Sequence, residues 1–407
     1  MNAQGKGLEQ HEILKVQLMR GEKEQDYLTH IWNLTSMMDH PIIAKEENQD
    51  EACYRQFYEE AISLCRKKRF HEVLEKCRYT SLDDEEEYSI DVIQPEKIEF
   101  KQNSYEDGEN SIISFPEFLL LVLDVCTGGE QPASHYQPDK LIEKFNALKT
   151  HFTAGEFYEK MLYYRLLLDY YTIRRDIKDG QGNYSLILKG PKDDNDKLKQ
   201  YQSMLYVSTE AFYNWLKPYL RKLEQDELQS CAEMLAFLKK EDNERHGVLP
   251  SRKDLSYKAS GNIRYWFWRL DYYLWEQRST FFNEEEQKIV EHYVFRRNRS
   301  IEHLHPQDES HNEEWEEEAV HSFGNLAMIS QSFNSQQSND HIQIKFARIH
   351  EQISNKSLQS IKMFLMCKLA DFNYQNWTMK LAKEHEDKMI ELLKQSYVCD
   401  IILSGPS

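Results

Sequence analysis

Residues 299–307 read RSIEHLHPQ, and this stretch is the most informative part of the sequence about both fold and function. The segment has the composition of a short β-strand, with Glu302 and His303 together at its end and Pro306 closing it. An adjacent Glu–His pair is more often a solvated or hydrogen-bonded pair than a catalytic one. Its interpretation therefore depends on what the rest of the chain places around it.

The composition is that of an acidic, glycine-poor globular protein. Of the 407 residues, 40% are hydrophobic and 29% charged, and the net charge of −18 excludes a general affinity for nucleic acid through bulk charge. Only 14 glycines and 10 prolines are present, which disfavours an all-β fold with many tight turns. The seven cysteines form no C-x-x-C pair, so free thiols in a reducing cytoplasm are favoured over a structural zinc site. No apolar run is long enough to span a membrane.

Helical periodicity predicts a mainly α fold with a multi-helical central region. It is found at 8–20, 24–46, 50–78, 139–176, 195–241, 263–277, 355–372 and 376–396. Ser114 and Pro116 indicate the start of a further helix. Turn residues between two short alternating runs predict a β-hairpin at 177–188. Residues 81–110 and 128–139 are predicted loops, and the aromatic stripe of 263–277 is predicted to lie in a core.

The last hundred residues offer, in order, the groups that a single-metal nuclease needs. Such a site uses a histidine to take a proton from water, a carboxylate to bind the metal, an amide to orient the imidazole, and a further ligand from a helix. Glu302 and His303 are followed by Asn325 in GNL, and then by Asn334. Mg²⁺ prefers oxygen ligands and keeps several waters. Each residue alone says little, whereas the ordered set is specific.

This region resembles the HNH (His-Me finger) nucleases, and more closely the C-terminal nuclease domain of the GmrSD-type, type IV restriction endonucleases. That family shows I-E-H-x-x-P-Q, then G-N-L-x-L, and a downstream asparagine with a lysine beyond it. Here the corresponding residues are IEHLHPQ (301–307), GNLAMI (324–329), Asn334 and Lys345. The resemblance implies a small ββα-metal (HNH) nuclease module near the C-terminus.

The same resemblance implies roles for individual residues. His303 would be the general base, Glu302 and Asn334 would be metal ligands, and Asn325 would orient the imidazole. The implied cofactor is Mg²⁺ (or Mn²⁺), and the implied substrate is DNA. An ordinary surface or incidental role is the alternative for the candidate phosphate contacts, which are Arg296, Arg297, Arg299, His305 and Lys345.

The opening MNAQGKGLEQHEILK resembles the end of the family's N-terminal ParB- or sulfiredoxin-like, nucleotide-hydrolysing domain. The family motif N-T-R-G-x-x-L is represented by Asn2-Ala3-Gln4-Gly5, without the arginine. We expect three parts: 1–50 as the tail of a truncated N-terminal domain, 51–292 as a helical middle region with one hairpin, and 293–400 as the nuclease module with closing helices. A separate nucleotide-hydrolysing subunit is the implied partner.

These features favour a metal-dependent DNA endonuclease that restricts foreign or modified DNA, as in phage defence. Two alternatives stay open at this point. One is a catalytically silent remnant or interaction subunit that needs a nucleotide-hydrolysing partner. The other is an RNase, because the same kind of metal site can cut RNA and nothing in the sequence discriminates the sugar.

Overall fold

The computed structural model describes residues 9–43, 50–78, 108–177, 184–191, 194–208, 211–297, 299–307, 315–330 and 342–402. Over these ranges the chain is mainly α-helical, which confirms the fold class expected from the periodicity. The chain divides into two compact units, one drawn from 1–195 and 211–231 and the other from 196–210 and 232–407. The three-part division at 50/51 and 292/293 stays a prediction.

The described helices are numbered here in chain order. They are α1 Gln10–Met19, α2 Gln25–Ser36, α3 Glu51–Arg66, α4 Phe70–Arg78, α5 Phe115–Cys126, α6 Leu141–Leu148, α7 Ala154–Tyr171, α8 Asp196–Val207, α9 Phe212–Glu224, α10 Cys231–Arg245, α11 Arg264–Glu276, α12 Arg278–Phe281, α13 Glu284–Glu291, α14 Glu317–Val320, α15 Ile342–Ser354, α16 Ile361–Leu369 and α17 Met379–Ile402. None of these helices combines the length and the apolar character needed to cross a bilayer.

The described strands form two small antiparallel sheets. They are β1 Gly108–Asn110, β2 Arg174–Ile177 and β3 Tyr184–Ile187 in the first unit, and β4 Arg299–His303 and β5 Leu326–Ser330 in the second. β2 and β3 confirm the predicted hairpin, although β2 begins earlier than expected. β1 corrects the predicted loop at 81–110, because residues 108–110 pair with 175–177 of β2. Residues 81–107 lie outside the described residues.

Two predicted helices of the first unit are interrupted. The segment 24–46 is helical only as far as Ser36, because the carbonyl of Met37 accepts a hydrogen bond from Arg165 at 2.9 Å and the following backbone turns towards α7. The segment 50–78 breaks between α3 and α4 at Lys68, which has a φ of 57°. The predicted start of α5 is confirmed, since Ser114 caps it and its backbone N–H donates to Glu117 at 2.7 Å.

A single buried carboxylate organises the charged interior of the first unit. Asp169 of α7 is fully buried and accepts hydrogen bonds from the guanidinium groups of Arg165 and Arg174. Its other oxygen accepts from the backbone N–H of Ile42 at 2.6 Å. Both arginines are at most 1% exposed. The carboxylate thus compensates two buried cations and ties the chain after α2 to α7.

In the second unit, α11 is the central helix. Its aromatic stripe is buried as predicted, with Trp266, Phe267, Leu270 and Leu274 all at 9% exposure or less. α16, α17 and β5 pack against it. The two closing helices are therefore confirmed in outline, with shifted ends. α15 supplies a helix after β5, as the ββα arrangement implies, and it begins at Ile342, later than the possible start near Asn334; residues 331–341 lie outside the described residues.

Candidate active site

The pairing of β4 with β5 brings the two motifs of the sequence together. Glu302 lies opposite Ala327, and His303 lies opposite Leu326. Just beyond the strand, the N–H of Leu304 donates to the carbonyl of Asn325 at 2.9 Å. The IEH and GNL segments are thus neighbours across one ribbon, and their polar side chains gather at the end where β4 stops and β5 starts.

Glu302 contacts Lys345 of helix α15. Its carboxylate lies 2.5 Å from the ammonium nitrogen of Lys345, and that ammonium also donates to the carbonyl of His303 at 2.5 Å. Both side chains are buried, so the lysine offsets the charge of the glutamate and fixes the end of the strand. In the structure the Lys345 ammonium thus contacts buried groups of the protein. Its contact with a phosphate stays a prediction.

His303 faces a different set of groups, because successive strand residues point to opposite sides. Nδ1 lies 3.0 Å from the amide nitrogen of Gln307, and Nε2 lies 3.1 Å from Nδ1 of His321. The ring of Tyr257 meets the imidazole edge to face at 4.5 Å. Burial, together with His321 and the ammonium of Lys345, lowers the pKa of His303 to about 3. The imidazole is therefore neutral near pH 7.

The two partners of the ring decide which nitrogen carries its proton. When the Gln307 N–H donates to Nδ1, the proton lies on Nε2 and is donated to His321. Half a turn of the Gln307 amide presents its oxygen instead, which holds the proton on Nδ1 and leaves Nε2 as the basic atom. His303 can accept a proton from water only in this second arrangement if Nε2 is the reacting atom.

Asn325 does not make the contact expected for it. Its amide oxygen accepts from the backbone N–H of His305 at 2.8 Å and from the indole of Trp377 at 3.2 Å. Its amide nitrogen donates to the carbonyls of His305 and Val320, both at 2.9 Å. Asn325 thus fixes the backbone after β4, while Gln307 contacts the imidazole. The assignment of Asn325 as catalytic stays a prediction.

Contacts with helices α16 and α17 hold the turn that carries Asn325 in place. The ammonium of Lys362, fully buried on α16, donates to the carbonyls of Phe323 at 2.8 Å and Leu326 at 2.5 Å. Gly324 lies against α17 so closely that a Cβ there would overlap the carbonyl oxygen of Ala382. Two helices distant in sequence, α16 and α17, therefore set the position of a three-residue turn.

His321 is a member of the site to which the sequence assigned no role. It follows α14, and its carbonyl accepts from the N–H of Tyr257 at 3.0 Å and the hydroxyl of Ser256 at 3.1 Å. Its ring is stacked on Tyr257 with centroids 5.7 Å apart. Burial and the nearby ammonium of Lys258 lower its pKa. Only its closeness to the motif in the sequence could have drawn attention to it.

The other sequence candidates are placed around this centre. The guanidinium of Arg297 lies over the ring of Tyr206 at 4.0 Å and donates to its carbonyl at 3.1 Å. His305 is buried and stacked on Trp315 at 4.1 Å. Arg296 is half-buried, and Arg299 begins β4. Their phosphate contacts stay predictions, and Asn334 lies outside the described residues.

The residues present are chemically suited to a magnesium ion, although they form only part of a site. In the parts of the chain that the structure describes, no three His, Cys, Asp or Glu side chains are grouped to hold a metal ion. Glu302 supplies one buried carboxylate, which Lys345 neutralises in the structure and whose oxygens are ligands of the kind that Mg²⁺ prefers. An ion that keeps several of its waters needs only one or two such protein ligands.

Three imidazoles of the second unit have lowered pKa values, which predicts sensitivity to acid. Burial is the main cause for His303, His321 and His385, and neither ring nitrogen of His385 has a hydrogen-bond partner among the described residues. Below a pH of about 6.5 the unfolded chain binds protons that the folded unit does not. Stability should therefore fall as pH drops from about 6.5 towards 4.

Urea unfolding at several pH values checks this expectation. His385→Leu, which removes one such imidazole without touching His303, should flatten the pH dependence and leave stability at pH 7 unchanged or higher. Unfolding free energies that are equal at pH 7 and pH 5 in the wild type would contradict it.

The candidate site thus consists of a neutral imidazole at a strand end, an amide and a second imidazole that contact it, and a buried carboxylate on the preceding residue. Comparison with known protein families finds one match. Residues 250–392 match the family described as GmrSD restriction endonucleases, C-terminal domain. This segment is similar to that domain family, and the site residues His303, Glu302, Gln307, His321 and Asn325 lie within it. No curated protein and no solved structure matches the chain significantly.

Proposed function

We propose that the chain is a metal-dependent DNA endonuclease of the HNH type that restricts foreign or modified DNA, as in phage defence. The observation that supports this most is the buried, neutral imidazole of His303, which lies beside Glu302 within a segment of a restriction-endonuclease family. The free thiols of the described cysteines favour a cytoplasmic setting. A separate nucleotide-hydrolysing subunit is the proposed partner.

In this proposal His303 takes a proton from the water that attacks the phosphodiester. Its neutral state near pH 7 makes it available for that role without prior deprotonation. Gln307 and His321 hold the ring and set the position of its proton. Glu302 and Asn334 would hold Mg²⁺ or Mn²⁺, which when bound supplies positive charge beside the phosphate.

A nicking assay on supercoiled plasmid tests the proposal. The purified chain is incubated with Mg²⁺, with Mn²⁺, or with EDTA, on modified and unmodified DNA, and in parallel with RNA. Metal-dependent nicking of DNA is the expected result. Cleavage of RNA alone would assign the chain to the RNases. Failure to cut any substrate, with or without a nucleotide-hydrolysing partner, would favour the silent or interaction-subunit alternative.

Replacement of Gln307 should separate positioning from folding. We expect Gln307→Leu to lower kcat by roughly 10–100-fold, as the loss of other orienting groups around a reactive histidine does, with KM nearly unchanged. Gln307→Glu should keep activity, because a carboxylate holds the proton on Nδ1, and it should raise the pKa of His303. In the pH–rate profile of the Gln307→Glu variant, the acid limb should therefore lie at higher pH than in the wild type. A wild-type kcat for Gln307→Leu would show that Gln307 does not position the imidazole for catalysis.

A further inference from the structure

A cleft of about 940 Å³ opens within the second unit. Its walls come from the segment before α11, from α14 and from the beginning of α17. Its cations are Arg252, Lys253, Lys258, Lys380 and Lys383, against three carboxylates. In a chain with a net charge of −18, the cations that line this cleft outnumber its carboxylates by five to three.

Three of the cations are available to a ligand. Arg252 is engaged by Glu386 and Asp387, and Lys258 is engaged by Glu317. Lys253 and Lys383 are exposed and make no ion pair with any residue that the structure describes.

Lys380 is 87% exposed and lies 3.9 Å from Glu384, a spacing at which a surface pair contributes little. The cleft therefore presents three mobile ammonium groups, and two of them lie in the first turns of the 24-residue helix α17, where the helix dipole also favours an anion.

The cleft lies next to residues of the candidate active site, although neither histidine lines it. Ser256 and Ser322 line it and flank the two histidines: Ser256 donates to the carbonyl of His321, and Ser322 follows His321 directly. Between Ser256 and Lys258 lies Tyr257, which is 42% exposed and whose ring contacts both His303 and His321. A polyanion bound along the cleft would thus lie beside Tyr257, whose ring contacts the buried imidazole of His303.

We propose that this cleft binds the phosphodiester backbone of the DNA strand next to the scissile phosphate, through Lys253, Lys380 and Lys383. The inference rests on the proposed function, since it takes His303 as the point of cleavage. Ammonium groups spaced along a cleft suit a repeating anion, because each neutralised phosphate releases bound counterions. The exposed ring of Tyr257 adds an aromatic surface of the kind on which bases stack.

The test measures binding without cleavage. A short fluorescein-labelled DNA duplex is titrated in EDTA with the wild type and with a Lys253→Ala/Lys380→Ala/Lys383→Ala variant, by fluorescence anisotropy at several KCl concentrations. We expect affinity to fall by roughly tenfold or more, and the slope of log K against log [KCl] to fall by about 0.9 for each contact removed. The control variant replaces Lys240, Lys288 and Lys394, which are exposed lysines of the same unit. It should bind like the wild type.

The outcomes separate this inference from the proposed function. Binding that depends on the three lysines supports the cleft even if the wild type cuts no DNA, which would count against the nuclease alone. Cleavage by the wild type together with unchanged affinity and salt slope in the cleft variant would overturn the cleft and leave the nuclease standing. Binding displaced by polyglutamate as readily as by unlabelled DNA would assign the cleft to acidic peptides and would also overturn the inference.

Discussion

Replacing His303 by alanine should reduce DNA cleavage by roughly 10²–10⁴-fold, the usual contribution of a positioned general base. Binding of DNA in EDTA should change little, because the imidazole is buried and contributes no charge near pH 7. The measurement is the rate of plasmid nicking under single-turnover conditions, beside binding by anisotropy. The loss should appear in the rate and not in the affinity.

Two further variants make the result specific to this imidazole. His303→Gln keeps much of the side-chain volume and its hydrogen-bonding capacity, so it should fold like the wild type and still fail to cleave. His292→Ala removes an exposed histidine that bonds to the carbonyl of Lys288 at the end of α13, and it should cleave at the wild-type rate. Nicking by His303→Ala at the wild-type rate would exclude this residue as the base.

Replacing Asp169 by alanine should destabilise the first unit by about 3–5 kcal/mol, the typical effect of leaving a buried charge uncompensated. The substitution leaves the guanidinium groups of Arg165 and Arg174 buried without their carboxylate. It also removes the acceptor of the Ile42 N–H. The measurement is the free energy of unfolding in urea, followed by circular dichroism.

Glu72→Ala is the matched control for Asp169→Ala. Glu72 also pairs with an arginine, Arg69, but both side chains are about half exposed. Its replacement should cost less than about 1 kcal/mol, because water screens the pair and solvates the arginine once it is alone. If the two substitutions cost the same, the buried network does not have the importance that its geometry indicates.

Local patterns were enough to predict much of the fold. Apolar spacing located most helices, and Ser114 with Pro116 marked the start of α5, because caps and periodicity are properties of neighbouring residues. Patterns failed where a distant partner decided the outcome. Residues 108–110, a predicted loop, form β1 because they pair with β2. Helix α2 ends at Ser36, before the predicted 46, where Pro41 disfavours helix locally and the hydrogen bond from Arg165 to Met37 holds the chain that follows.

For the candidate site, the sequence by itself determined the chemical inventory and the family. The order of IEHLHPQ and GNL along the chain was sufficient for the resemblance that the family match at 250–392 confirms. The same order drew attention to Glu302 and His303, which end β4 and contact different groups, Lys345 on one side and Gln307 with His321 on the other. Their catalytic and metal-binding roles remain to be tested by the variants above.

Only the tertiary structure decided which groups touch. Gln307 and Asn325 are both amides in the quoted motifs; the sequence favoured Asn325 as the partner of the imidazole, whereas in the structure Gln307 lies within hydrogen-bond distance of it. His321 reaches His303, and Lys345 reaches Glu302, through the path of the chain after each strand. A hydrogen bond requires its two atoms within about 3 Å, and spacing along a chain does not specify distances between side chains that the fold brings together.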